Sequence, residues 1–192
     1  MPSRALRRWQ TRSRKVLDEF EAAHALFGGA GVGRRFARQQ IAQAYVVLLC
    51  SQFQRFCREL HAQAIEKMTD DPAHAPLNPI LRRLLSTGRR LDVGNASPSM
   101  LGSDFGRLGL SFWDKVREQR PSNEARQQQL AELNRWRNAI AHQDFSNAEF
   151  EGASEVKIAQ VRRWRRACEA LAVEFDAVLR LYLSGVIGRP PW

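Results

Sequence analysis

Apolar residues recur along the 192-residue chain at helical intervals, and clusters of glycine, proline and small polar residues cut that pattern into segments. Ser3 is placed to cap a first helix running to about Phe27, where Gly28 and Gly29 stop it. The stretch GGAGVG links it to a second helix from about Arg34 to Met68. There Phe36, Ile41, Tyr45, Leu48, Leu49, Phe53, Phe56 and Leu60 mark the apolar face of an amphipathic helix. A loop, DDPAHAPLNP, precedes a short helix around Pro79–Leu85, and Met100–Arg120 reads as one or two more short helices. Pro121 and Ser122 open a helix of about residues 122–142, and Ser154 caps a last one of about residues 154–184. In that last helix Val161, Trp164, Cys168, Leu171, Phe175, Val178 and Tyr182 alternate spacings of three and four, a packing seam for the second helix or for another copy of the chain. No segment alternates polar and apolar residues as a half-buried strand does. The expected fold is therefore all-α: one domain over residues 1–192, a bundle of four to five helices, the second and last long.

Composition narrows the function. Hydrophobic residues at 44% and charged residues at 26% exclude wholesale disorder and a fibrous repeat. The net charge is +10, and 26 of the 30 basic residues are arginine, a surplus that suits a phosphate-rich partner. Basic clusters recur at Arg4–Lys15, Arg34–Arg38, Arg82–Arg90 and Arg162–Arg166. Singly each reads as a solvated helix face; together they point to an RNA backbone, since phosphate neutralisation is additive and independent of sequence. An acidic partner protein would explain the same charge. Three cysteines, Cys50, Cys57 and Cys168, build no disulfide framework, because seven residues of helix separate the first two by roughly 10 Å. The basic N-terminus is followed by no apolar signal region, and the run Ala44–Cys50 is far too short to span a membrane, so a soluble, cytoplasmic protein is expected. GGAGVG follows a helix and lacks the Lys-Ser/Thr of a phosphate-binding loop, which makes it a linker. Asp70 and Asp71 before Pro72 are turn residues. No helix-turn-helix signature supports a DNA-binding regulator.

The segment LAELNRWRNAIAHQDF carries the candidate chemistry. On a helical wheel Leu130, Leu133, Trp136 and Ile140 form one apolar arc, while Asn134, Asn138 and His142, four apart, form a polar line. Arg137 falls at the edge of the apolar arc, where a guanidinium needs a partner. Arg137 and His142 lie about 140° apart around the helix. Either the arginine wraps round, or each is completed by a second copy of the helix across an interface. The bland alternative is an arginine paired with a nearby acid and a histidine that packs the helix end.

RNAIAH, with Arg137, Asn138 and His142 near the end of a helix before a loop and a long last helix, resembles the motif of HEPN domains. The stretch LDVGNASPSMLGSDFGRLG also resembles the insert of the branch found with RNA-ligase-type and defence operons. The resemblance implies a helical bundle that dimerises and joins two motifs at its two-fold axis. It further implies a metal-independent endoribonuclease, acting as a toxin or phage-defence effector with RNA as substrate and an antitoxin or other defence protein as a possible partner. His142 would serve in acid–base catalysis on the ribose 2′-hydroxyl, Arg137 would stabilise charge on the scissile phosphate, and Asn138 would orient the neighbouring group. Histidine is the side chain whose ordinary pKa suits that task, and arginine donates to two phosphate oxygens at once. The helix C-terminus favours a charged His142 and nearby arginines oppose it. Arg34, Arg35, Arg38 and Arg135 are candidate RNA contacts. No cofactor is expected, and His24, His61, His74 and His142 are scattered without metal-ligand spacing. The competing readings are a non-catalytic RNA- or nucleotide-binding module of the same fold working with a partner protein, and an unrelated helical scaffold.

Overall fold

Helix α3 (Val32–Met68) carries so many apolar residues around its circumference that it has to be covered on several sides. Tyr45, Leu49, Phe53, Phe56 and Leu60 are buried along one stripe, and Val46, Cys50, Cys57 and Ala64 are buried beside it. A computed structural model of the chain describes residues 1–26, 32–70, 72, 75–146, 150 and 155–192. Among these every regular element is helical. The expected helix end at Phe27, most of GGAGVG, Asp71, His74 and the Ser154 cap lie outside the described residues.

The first expected helix is divided into α1 (Arg4–Arg8) and α2 (Arg14–Leu26) by one turn of π-helix, and both pack on α3. Ser3 does cap it: the hydroxyl accepts from the Leu6 N–H at 3.0 Å, while the Ser3 N–H donates to buried Asp176 at 3.0 Å. A short helix α4 (Asn78–Ser86) follows α3, and after a 3-10 turn at Arg90–Asp92 come α5 (Pro98–Gly106) and α6 (Phe112–Gln119). The last two, α7 (Asn123–His142) and α8 (Ile158–Ile187), lie against α3 and against each other. The periodic seam of α8 packs on α3 within the same chain. Its Phe175 ring meets Phe53 at 6.0 Å and Phe112 at 4.8 Å, and Phe112 stacks on Phe105 at 4.3 Å. Each such ring contributes about 1.5–3 kcal/mol by leaving water. Trp9 is buried against Phe53 and Phe56, so it anchors the N-terminus and is not open for base stacking. No helix among the described residues is long and apolar enough to cross a membrane.

Two expectations fail for identifiable reasons. Phe36 was placed in the apolar face of α3, yet it is 67% exposed. Its neighbours across an open cleft are Glu155–Ile158, where α8 is only beginning, so no helix among the described residues lies over it. The Arg162–Arg166 cluster is not a uniformly solvated face. Arg165 is buried and donates to Asp18 at 2.5 Å, Glu169 at 3.0 Å, the Tyr45 hydroxyl at 3.1 Å and Glu21 at 3.3 Å. Arg162 and Arg163 pair with Glu21 and Glu132. We expect Arg165→Ala to cost about 2–4 kcal/mol in urea unfolding, because it removes the one buried cation that ties Asp18, Glu21, Glu169 and the Tyr45 hydroxyl together, and Arg162→Ala under about 1 kcal/mol. Equal losses would show that the buried network contributes no more than a surface pair.

His61 is fully buried, with Nε2 bonded to the Asp104 carbonyl at 2.9 Å and the ring edge-on to Phe105. Because a carbonyl only accepts, Nε2 carries the proton, and the buried Nδ1 has no hydrogen-bond partner among the described residues. Protonating it would bury an uncompensated charge, and burial accordingly lowers the His61 pKa; His24 is lowered as well, first by burial and then by Arg38 and Arg162. A lowered folded pKa means that the unfolded chain binds the proton more readily. The stability both histidines confer is therefore complete above the unfolded value of about 6.5 and is lost as pH falls below it. Urea midpoints should drop between pH 7 and pH 5, and drop less in His61→Gln. An unchanged drop in that variant would contradict this assignment.

Candidate active site

Helix α7 is held from both sides. Leu130, Leu133, Trp136 and Ile140 are buried, as the wheel predicts. On the α3 side the Cys50 thiol lies 3.9 Å from the Leu133 carbonyl. On the α8 side Glu132 accepts from Gln160 at 2.8 Å and from the Trp164 indole at 2.9 Å, and the Trp136 and Trp164 rings lie 6.3 Å apart. At its start the helix is fixed by Asn123, which donates to the Val116 carbonyl at 2.7 Å, while Ser122 forms no side-chain cap.

The C-terminal end is closed by Gln143, the one described non-glycine residue in the left-handed region, with φ 53°. That conformation costs about 1–2 kcal/mol for a residue with a Cβ. It is offset by the Asp144 N–H bonding back to the Ala139 carbonyl at 3.0 Å and the Gln143 side chain donating to the Ile140 carbonyl at 2.7 Å. Phe145 and Phe150 then pack on Trp136, with ring centres at 6.2 and 5.0 Å. His142 is thus the last helical residue and stays exposed. The Asp144 carboxyl nearby is held below its ordinary pKa by the Ser146 hydroxyl and N–H, with a smaller contribution from the charge of His142.

The expected polar line divides. Asn138 and His142 face solvent, one turn apart, but Asn134 is buried and donates to the carbonyls of Leu130 at 2.8 Å and Ala96 at 3.2 Å. Half-buried Arg137 directs Nη1 to the Asn138 Oδ1 at 3.2 Å. Among the described residues no carboxylate pairs with it, so the arginine edge of the motif is a cation held by a neutral amide. The same Asn138 oxygen accepts from Asn95 at 2.8 Å. Asn95 lies 43 residues upstream in a loop, and no periodicity or spacing singles it out. Arg137 and Asn138 are brought together; neither bonds to His142. The bland alternative of an acid-paired arginine and a packed histidine does not describe this helix end.

The remaining candidates are dispersed. Arg34 and Arg35 are exposed in the first turn of α3 and Arg135 is exposed on α7. Arg35 and Arg38 line the cleft that exposes Phe36, together with His24, Gln39 and Lys157. All three thiols are buried, and burial pushes Cys50 up to about 12 and Cys57 and Cys168 well above the ordinary range, so none is a poised nucleophile. Among the described residues no three His, Cys, Asp or Glu side chains gather where they could hold a metal ion.

A family model described as RiboL-PSP-HEPN matches residues 12–180, a span that takes in α2 through most of α8 and the whole of the motif. No curated protein and no solved structure matches the chain. HEPN domains are all-α, as this fold is; they bind RNA, often dimerise, and are often ribonucleases. The chain belongs to the HEPN domain family, in its RiboL-PSP branch.

Proposed function

We propose that the chain is a cytoplasmic, metal-independent endoribonuclease, a single HEPN domain that serves as a toxin or phage-defence effector and cleaves RNA at a site formed across a homodimer. The observation that carries this reading is the state of Arg137: half-buried, bonded to an amide oxygen, with no carboxylate partner among the described residues. A cation kept from an acid at an exposed helix end is available to an anion. His142 stands exposed on the same end of α7 and supplies an imidazole, a group that can accept a proton on one nitrogen and donate one from the other.

In the proposed reaction His142 takes the proton of a ribose 2′-hydroxyl, whose oxygen attacks the adjacent phosphorus. Arg137 donates to the phosphoryl oxygens as they gain charge, and Asn138 adds an amide donor beside it. The P–O5′ bond breaks, the 5′-oxygen leaves with a proton delivered by the second histidine, and a 2′,3′-cyclic phosphate remains. Because neither Arg137 nor Asn138 bonds to His142 within one chain, a partner copy is the natural source of the second acid–base group. Arg34, Arg35, Arg38 and Arg135 would guide the rest of the strand, with Phe36, in the cleft that Arg35 and Arg38 line, offering a ring to a base.

Purified protein incubated with total RNA in EDTA should cut it at discrete positions and leave cyclic-phosphate ends. Arg137→Ala and His142→Ala should each lower the rate about 10²–10⁴-fold while remaining folded and dimeric, and Asn138→Ala about tenfold, the loss of one hydrogen bond. A folded, dimeric parent that leaves RNA intact would instead favour a binding module that works with a partner protein.

A further inference from the structure

The Asn138 side chain has one oxygen and one NH₂ group, and which of them faces the substrate decides whether the motif attracts or repels a phosphate. Arg137 only donates, so the Asn138 atom it meets at 3.2 Å has to be the oxygen. The Asn95 atom that meets the same oxygen at 2.8 Å is then its NH₂ group. Two donors occupy the two lone pairs of Oδ1. The NH₂ group of Asn138, on an exposed residue beside the arginine, takes part in neither bond.

Asn95 is fixed in space by its surroundings. The buried Asp104 carboxylate accepts the N–H groups of Arg90 and Leu91 at 2.9 and 2.8 Å, and Gln54 donates to the carbonyls of Leu91 at 2.9 Å and Gly94 at 2.5 Å. On the far side of Asn95, Ala96 is buried and its carbonyl receives Asn134 at 3.2 Å. Next in the chain Ser97 caps α5. Two asparagines of α7, one turn apart, therefore clamp this loop: Asn134 holds its backbone, and Asn138 receives its side chain.

We propose that Asn95 is a positioning residue that keeps the Asn138 amide turned with its NH₂ group toward the scissile phosphate. The inference rests on the ribonuclease reading above. Its consequence appears when RNA binds. Arg137 can then turn its Nη1 to a phosphate oxygen, and Asn95 alone still holds the Asn138 oxygen inward. The motif thereby presents only donors to the phosphate, the arrangement that a developing negative charge favours.

The test compares two substitutions whose order distinguishes orientation from packing. Asn95→Ala removes the lock. Asn95→Asp keeps the shape but only accepts, so it either turns the Asn138 amide round, exposing its oxygen, or takes Arg137 for itself. If Asn95 merely fills space, the isosteric aspartate is the milder change. If it orients Asn138, the aspartate is the worse one. Val93→Asp, in the same loop at 91% exposure, adds the same charge away from Asn138 and serves as control. We expect kcat to fall about tenfold in Asn95→Ala and about 100-fold in Asn95→Asp, with KM within about threefold, urea midpoints close to the parent, and Val93→Asp within about threefold of it. Affinity for a fully 2′-O-methylated RNA should fall in the same order, parent, Asn95→Ala, Asn95→Asp, by no more than about the threefold allowed for KM. Asn95 variants that match an active parent, or an aspartate milder than alanine, overturn the inference and leave the ribonuclease reading standing. A parent that does not cleave overturns that reading, and the affinity order then decides whether Asn95 orients Asn138 for binding alone.

Discussion

The motif depends on the burial of one arc of α7 between two long helices. Leu130, Leu133, Trp136 and Ile140 leave water together, and the arc can be satisfied only by rotating the helix so that it faces α3 and α8 at once. That rotation fixes the rest. Asn138 and His142 are turned to solvent, Arg137 is caught at the boundary, and Asn134 is drawn inward to bond a loop carbonyl. The same packing stops the helix at a defined residue, because Trp136 receives Phe145 and Phe150 immediately after the turn at Gln143.

Much of this was legible in the sequence because periodic patterns are local. The three long segments, the cap at Ser3, the buried arc of α7 and the exposed pair Asn138 and His142 all follow from spacing. What was not legible depends on residues far along the chain. Arg165 reads as one more surface arginine until Asp18, Glu21 and Tyr45, more than 100 positions away, close around it. Phe36 continues the apolar stripe of α3 but runs beyond the point where α8 begins. Asn95 sits in a loop whose composition says only that it turns; its contact with Asn138 exists because Gln54 and Asp104 hold that loop against the motif helix.

The charge of +10 likewise changes meaning once the fold is known. Arg4, Arg8, Arg120, Arg162, Arg163 and Arg165 are engaged with carboxylates on neighbouring helices of the same chain, and Arg89 with Asp92 three residues on. Arg137 differs from these seven, since its partner is an amide. An ion pair to a carboxylate would have to be broken before a phosphate could bind, whereas an amide oxygen can be exchanged at little cost. Arg7, Arg82 and Arg107 likewise bond to neutral oxygens, so what sets Arg137 apart is an amide partner together with its place on the motif helix.

The central claim, that Arg137 meets a phosphate of bound RNA, is tested most directly by titrating a fully 2′-O-methylated RNA, which cannot be cleaved, against the parent and Arg137→Ala at several salt concentrations. If the claim holds, Arg137→Ala binds more weakly and the slope of log affinity against log salt falls by about one for each motif engaged. Equal affinities and equal slopes would mean that Arg137 does not touch the phosphate, and would contradict the account.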